Sequence, residues 1–293
     1  MRPNSILSAR SLLFVPGDRP DRVGKAFASA ADAVIVDLED AVRPENKQIA
    51  RSVVASFGEG PLASSAVFLV RVNPFRSADF TDDVEAAIRA GAHGIMLPKF
   101  VPGPEAGRAD EAMSAIEARL GTAGALPVVG LIESAAGLQG LHGISGEQKL
   151  PPRFRRLAFG AADFYADLRI AYRTSGVYTD LAMAALVVAS AAAGLSSPLD
   201  SPHFALDDDE GLAVRAHNAR DLGFGGALCI HPKQIAILNQ EFALDVDERA
   251  WAERVLAAWS APGNSGRGAI RVDDELIDEA MLRRVRQILD QDD

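Results

Sequence analysis

Short runs of β-branched and large apolar residues recur along this chain, each followed by a longer stretch whose apolar residues return at helical spacing, the pattern of repeated strand–helix units. The spacing predicts strands at 11–16, 33–38, 67–72, 94–97, 127–132, 156–159 and 227–230, with a weaker eighth near 201–206. Several are apolar on both faces, as strands buried in a parallel sheet must be. Helices are predicted at 20–30, 79–90, 178–193 and 210–222, with Pro20 suited to a first turn and Gly91, Gly194 and Gly223 to helix stops. Seven or eight such units fit a closed (β/α)8 TIM barrel better than an open doubly wound sheet.

Polar residues fall at the C-terminal end of strand after strand: Asp37, Glu39 and Asp40, then Arg71 and Asn73, Lys99, Glu133, Asp163 and His231. A closed parallel barrel gathers those ends on one face, where the active sites of such barrels lie. The barrel domain is read over 1–242. Beyond it, 243–293 turns to a Gly-rich connector around Gly263 to Gly268, a short β-like piece and a charged amphipathic helix. Ile270, Val272, Leu276, Ile277 and Met281 are too apolar for a free tail, so this segment is read as a helical lid packed on a neighbouring subunit.

Charge and composition remove several classes of partner. The formal net charge is −10 over 293 residues and the 30 Lys and Arg are scattered, which leaves no basic stripe for nucleic acid. A single cysteine, Cys229, excludes an intrachain disulfide and a multi-cysteine zinc site, as expected of a reducing, cytoplasmic setting. The N-terminal apolar stretch is short and interrupted by Arg10, unlike a signal peptide. The Ala-rich run 181–195 is too short to cross a bilayer and is read as a core-packed helix, so no membrane association is expected.

Glu133 ends the run PVVGLIE and Asp163 follows LAFGAAD, so two carboxylates close adjacent predicted strands. Hard oxygen donors of this kind suit Mg²⁺, which takes one or two carboxylates and keeps positions for water and substrate; Mn²⁺ is the alternative. Asp37, Glu39 and Asp40 crowd three acids into four residues, too many to stand close together without cations or bound water. They are read as groups that orient metal-bound water or an arginine, or as helix caps bridged to Arg43 or Lys47. Arg71, closing an apolar strand, is a natural clamp for a carboxylate or developing enolate, or a bridge to Glu39 or Asp40. Arg71, Glu133 and Asp37 make the expected substrate-contacting set. Arg19, Arg22 and Lys25, with Lys99, are cations suited to a nucleotide-like carrier.

RSLLFVPGDRPDR, AVIVDLEDAV, VRVNP, GIMLPK, VVGLIES, LAFGAADF and GFGGALCIHPKQI follow one another over residues 10–242. In these motifs the chain resembles the citrate lyase β-subunit-like and malyl-CoA lyase group of the HpcH/HpaI aldolase superfamily, which also includes malate synthases and malyl-CoA thioesterases. The resemblance implies a (β/α)8 barrel, Mg²⁺ on Glu133 and Asp163, and Arg71 at the substrate. It implies cleavage of a 3-hydroxyacyl-CoA, such as malyl-CoA or citramalyl-CoA, into acetyl-CoA and a 2-oxo acid. The alternatives are thioesterase or malate-synthase chemistry, or action on a citryl-acyl-carrier-protein thioester. It further implies trimers or hexamers in which the tail GRGAIRVDDELIDEAML covers a neighbour's site, with Asp278 as an acid/base group; Glu39 and Asp40, from the acid cluster itself, are the alternative bases. Aldolases that split free pyruvate adducts resemble the same pattern but carry histidine where this chain has Asp40, which favours the acyl-CoA branch.

Overall fold

The computed structural model describes residues 5–59, 64–122, 124–144, 146, 149–261, 264 and 268–290. Eight parallel strands close into a barrel in chain order: β1 Ser11–Pro16, β2 Ala33–Asp37, β3 Val67–Arg71, β4 Gly94–Leu97, β5 Val128–Ile132, β6 Phe154–Phe159, β7 Leu199–Asp200 and β8 Gly226–Cys229, with β8 pairing back onto β1. Around them run α1 Pro20–Phe27, α2 Lys47–Ser56, α3 Phe80–Arg89, α4 Pro104–Leu120, α5 Ala135–Gly140, α6 Ala161–Asp167, α7 Val177–Ala192, α8 Asp209–Leu222 and α9 Gln234–Glu241.

Side-chain alternation divides the apolar residues into two layers. Leu12, Ala33, Ile35, Val67, Leu69, Met96, Val129, Leu131, Ala158, Leu199 and Leu228 fill the lumen together with Ile6 and Ala9. Their neighbours, such as Val34, Val36, Phe68 and Val70, pack outward against the helices. Cys229 is buried there and its thiol is pushed up to about 12 by that burial, so it is inert at neutral pH.

Two strands differ from the sequence expectation by more than one residue at an end. The seventh is the two-residue Leu199–Asp200 rather than 201–206. Pro198 and Pro202 bracket it, and neither has an N–H to extend the ladder. The sixth begins at Phe154, which sets Arg156 inside the strand, in phase with the inward-facing Ala158. Arg156 is fully buried and donates to the carbonyls of Ser197 (2.6 Å), Ala9 (2.8 Å) and Ile6 (3.2 Å), fastening the segment before β1 to the N-terminal end of the lumen.

The helix expected to be core-packed, α7, buries one face only. Val177, Tyr178, Leu181 and Val188 are exposed. Among the described residues no helix is long and apolar enough to cross a membrane.

The chain divides into two compact units, residues 3–242 and a smaller one containing 243–293. In the smaller unit α10 Val246–Trp259, the antiparallel pair β9 Ala269–Val272 and β10 Glu275–Asp278, and α11 Glu279–Asp290 enclose their own core of Ala252, Val255, Ile270, Val272, Ile277, Leu282, Val285 and Ile288. Leu276, expected among the packed residues, is exposed because it alternates with the buried Ile277 on β10. The connector around Gly263 to Gly268 lies, apart from Asn264 and Gly268, outside the described residues.

Candidate active site

Strand parity decides which polar residues enter the lumen. Ala33 and Ile35 face inward on β2 and Asp37 follows in phase; Val67 and Leu69 lead to Arg71 on β3; Val129 and Leu131 lead to Glu133 just beyond β5. The register sets Asp37 opposite Arg71. After the inward Ala158 comes Gly160, where a Cβ would lie 2.6 Å from Glu133 Cβ and 2.7 Å from its Oε2. Glycine there makes room for the Glu133 carboxyl. Below the charged layer sits Phe14, whose ring centroid is 4.8 Å from the Arg71 guanidinium carbon.

Arg71 donates through Nε to Asp37 Oδ1 (2.7 Å) and through Nη2 to Asp37 Oδ2 (2.5 Å), while Nη1 lies 3.2 Å from Glu39 Oε2. Burial opposes its charge, but Asp37, Glu39 and Glu133 outweigh burial and raise its pKa above the usual arginine value. Sequence reading paired Arg71 with Glu39 or Asp40; Asp37 is the main partner. The two Asp37 oxygens also accept the backbone N–H groups of Glu39 (2.9 Å) and Ala41 (3.0 Å). All four acceptor positions of Asp37 are thus engaged within the protein. It acts through Arg71.

Lys99 joins two acids. Its backbone is left-handed, φ 50°, a strained conformation for lysine, and that twist delivers its N–H to Glu133 Oε1 at 2.6 Å. Its Nζ donates to Glu39 Oε1 (2.7 Å) and lies 3.7 Å from Asp40. Lys99 therefore faces carboxylates, with its side chain half exposed. Glu39 is raised by burial and by Asp40, against the pull of Arg71 and Lys99, and its buried Oε2 has no hydrogen bond.

Glu133 is pushed up to about 8, first by burial and then by the nearby charges of Asp163 and Glu39, with the Lys99 N–H and Arg71 opposing. Asp163 stands exposed in the first turn of α6. Five acids, Asp37, Glu39, Asp40, Glu133 and Asp163, thus share this face with two cations, Arg71 and Lys99. Such a surplus favours an added cation. Among the described residues no cluster of three or more His, Cys, Asp or Glu side chains could cage a metal. A two-carboxylate site is nonetheless what Mg²⁺ accepts when water and substrate complete its shell, and the donor set fits it.

The remaining expected residues lie at the margins. Arg19, Arg22 and Lys25 are exposed along α1, with Arg19 3.4 Å from Asp21. His231 is exposed and its Nδ1 accepts the Lys233 N–H, a local turn contact. Asp278, exposed in the smaller unit, accepts the Met281 N–H on Oδ1 at 2.9 Å and caps α11. Sequence reading missed Phe14 and Gly160. Counting by twos from the lumen residues would have found Phe14.

Residues 10–232 match the HpcH/HpaI aldolase/citrate lyase family. A citrate lyase subunit beta-like protein of Deinococcus radiodurans is 34% identical over 285 residues, covering 96% of both chains. The L-malyl-CoA/beta-methylmalyl-CoA lyase of Cereibacter sphaeroides is 32% identical over 313 residues, covering 99% of this chain and 95% of that one. In three dimensions the chain is similar to CitE of Mycobacterium tuberculosis, solved with magnesium, acetoacetate and coenzyme A, with a TM-score of 0.72 at 30% identity over 97% and 98% of the two chains. The chain belongs to the HpcH/HpaI aldolase/citrate lyase family of carbon–carbon lyases.

Proposed function

We propose that this protein is a Mg²⁺-dependent lyase that cleaves a 3-hydroxyacyl-CoA of the malyl-CoA or citramalyl-CoA type into acetyl-CoA and a 2-oxo acid. The observation that carries this reading is the paired carboxyls of Glu133 and Asp163 beside Arg71 at the C-terminal end of the barrel. It is supported by the similar CitE, which binds magnesium and coenzyme A, and by the lyase relatives.

Glu133 and Asp163 would hold the ion, which when bound polarises the carboxylate and hydroxyl of the substrate's 2-hydroxy acid end. A carboxylate base, Asp278, Glu39 or Asp40, takes the hydroxyl proton. The Cα–Cβ bond then breaks: its electron pair passes into the thioester carbonyl, giving the enolate of acetyl-CoA, while the alkoxide carbon becomes the 2-oxo acid carbonyl. Arg71 faces the negative charge that develops. Asp37 occupies one edge of its guanidinium, and N–H groups on Nη1 and Nη2 remain for the enolate oxygen. Arg19, Arg22 and Lys25 are assigned to the phosphates of the carrier.

The smaller unit is proposed to serve as the lid of a homotrimer or hexamer, bringing Asp278 to a neighbouring subunit. The exposed apolar residues Val177, Leu181 and Val188 of α7 support association between subunits.

Incubation of the pure protein and Mg²⁺ with malyl-CoA and citramalyl-CoA, with products identified by mass, tests the reading. Acetyl-CoA with glyoxylate or pyruvate is expected. Release of free CoA with malate would make it a thioesterase instead, and turnover only of a citryl-acyl-carrier-protein thioester would move it to the citrate lyase branch.

A further inference from the structure

Lys47, at the start of α2, was read from sequence as a counter-ion for the acids of the β2 loop. Its Nζ instead donates to three neutral acceptors: Leu38 O (2.6 Å), Glu39 O (2.7 Å) and Asn73 Oδ1 (2.9 Å). An ammonium has three donors, and all three are committed. Two successive backbone carbonyls therefore turn toward one cation, fixing the peptide planes on either side of Glu39.

The other half of the clamp is Asp37. Glu39 is held by its N–H on Asp37 and by its C=O on Lys47, so little freedom remains in the direction of its side chain. Leu38 is held likewise: its N–H donates to Arg71 O, and its carbonyl accepts from both Lys47 and Asn73 Nδ2 (2.9 Å). Asn73 is anchored in turn. Its N–H and Nδ2 both donate to Asp83 Oδ2, at 2.8 and 2.6 Å, and Asp83 Oδ1 accepts from Arg51 at 2.9 Å. Lys47 and Arg51 are four apart on α2 and so share a face. One connected network thus runs from α2 and α3 into the loops after β2 and β3, reaching Glu39 and the strand ends at Asp37 and Arg71.

We infer that Lys47 is a positioning residue that sets the Glu39 carboxylate against Arg71 and Lys99 for the reaction, while touching no substrate itself. The inference rests on the lyase reading above. Partners that orient groups in a site typically contribute about 10- to 100-fold, a range that separates this role from a surface lysine.

The test uses the cysteine arithmetic of the chain. Lys47→Cys can be alkylated with 2-bromoethylamine to restore an ammonium on a stem of lysine length, and the only other thiol, Cys229, is buried and 1% exposed. In Lys47→Cys, kcat for the acyl-CoA is expected to fall about 10- to 100-fold with KM within about threefold. Mg²⁺ affinity and melting temperature should stay near wild type. Hydrogen exchange of the Glu39 amide should quicken at least about tenfold, and alkylation should restore both exchange and kcat. Unchanged kcat with unchanged exchange overturns the inference, as does a kcat that stays low after the amide is protected again. If the wild-type protein cleaves no acyl-CoA, the lyase reading fails by itself, and the exchange measurement still decides whether Lys47 clamps the loop. Should Lys47→Cys fail to fold, Lys47→Arg takes its place: its planar fork does not reproduce the three-acceptor geometry, and the same split between kcat and KM is expected.

Discussion

Two arginines stand inside this barrel at opposite ends. Arg71, at the C-terminal end, is bound by Asp37 on one edge and by Glu39 on another. Arg156, at the N-terminal end, donates only to the carbonyls of Ser197, Ala9 and Ile6, with no carboxylate among its described partners. Burial pulls Arg156 down to about 9, still charged at neutral pH, whereas Arg71 is raised by its acids. Carbonyl dipoles take up Nε and Nη1 of Arg156 and close a strand end, while its buried Nη2 has no hydrogen-bond partner among the described residues. The acids around Arg71 exceed the local cations, so that end is electrostatically incomplete and suited to bind something. Burial of a charge therefore does not mark function; the sign of what remains unbalanced does.

The strongest way to break this contrast is to remove the imbalance. Glu133→Gln should reduce turnover by about 10³-fold or more and abolish the calorimetric signature of Mg²⁺ binding, with the barrel still folded. Retained metal affinity would transfer the ligand role elsewhere. Next in size, Asp37→Asn keeps the shape but removes the charge that orients Arg71, and should lower kcat/KM by about 10- to 100-fold. If activity is unaffected, Arg71 is oriented by Glu39 alone.

The opposite end should respond in stability and not in rate. Arg156→Met leaves three carbonyls without their donor and should destabilise the fold by about 3 kcal/mol in chemical denaturation, with kcat unchanged. A fall in kcat without a fall in stability would mean that the two ends communicate.

The mildest effect is a linkage. Glu133 is raised from an ordinary value of 4.5 to about 8, so the folded, metal-free protein holds a proton that the unfolded chain has released between those values. Its stability in EDTA should fall as pH rises through that window. Mg²⁺ needs the carboxylate, so binding at pH 7 should release a proton, read by calorimetry in two buffers of different ionisation enthalpy, and affinity should weaken as pH is lowered. Release near zero would show that Glu133 is already ionised.

Much of the barrel was legible because its signal is local. Strands β1 and β4 fall at their expected residues, since four to six apolar residues bounded by glycine, proline or charge leave little freedom. The two-residue β7 was misplaced because a pair of residues has no periodicity. At the site, Glu133 and Asp163 stood out as acids ending apolar runs. The pairing of Asp37 with Arg71 depends on interstrand register, a property of the closed sheet rather than of either segment. Lys47 was read by charge, whereas its partners are backbone carbonyls, which look the same at every position of a sequence. Arg156 was hidden in the doublet Arg155–Arg156, where only the phase of the strand tells the inward residue from the outward one.

Gly160 carries a further consequence. Because the space of its missing side chain is filled by the Glu133 carboxyl, the two positions are sterically coupled. Any lineage that gained a methyl group at 160 would have to shorten or redirect the acid at 133, and any that lost the acid would free 160 to drift. In this family's variation, a larger residue at the position of Gly160 would then be a readable sign that the acid at 133 no longer occupies the place it has here.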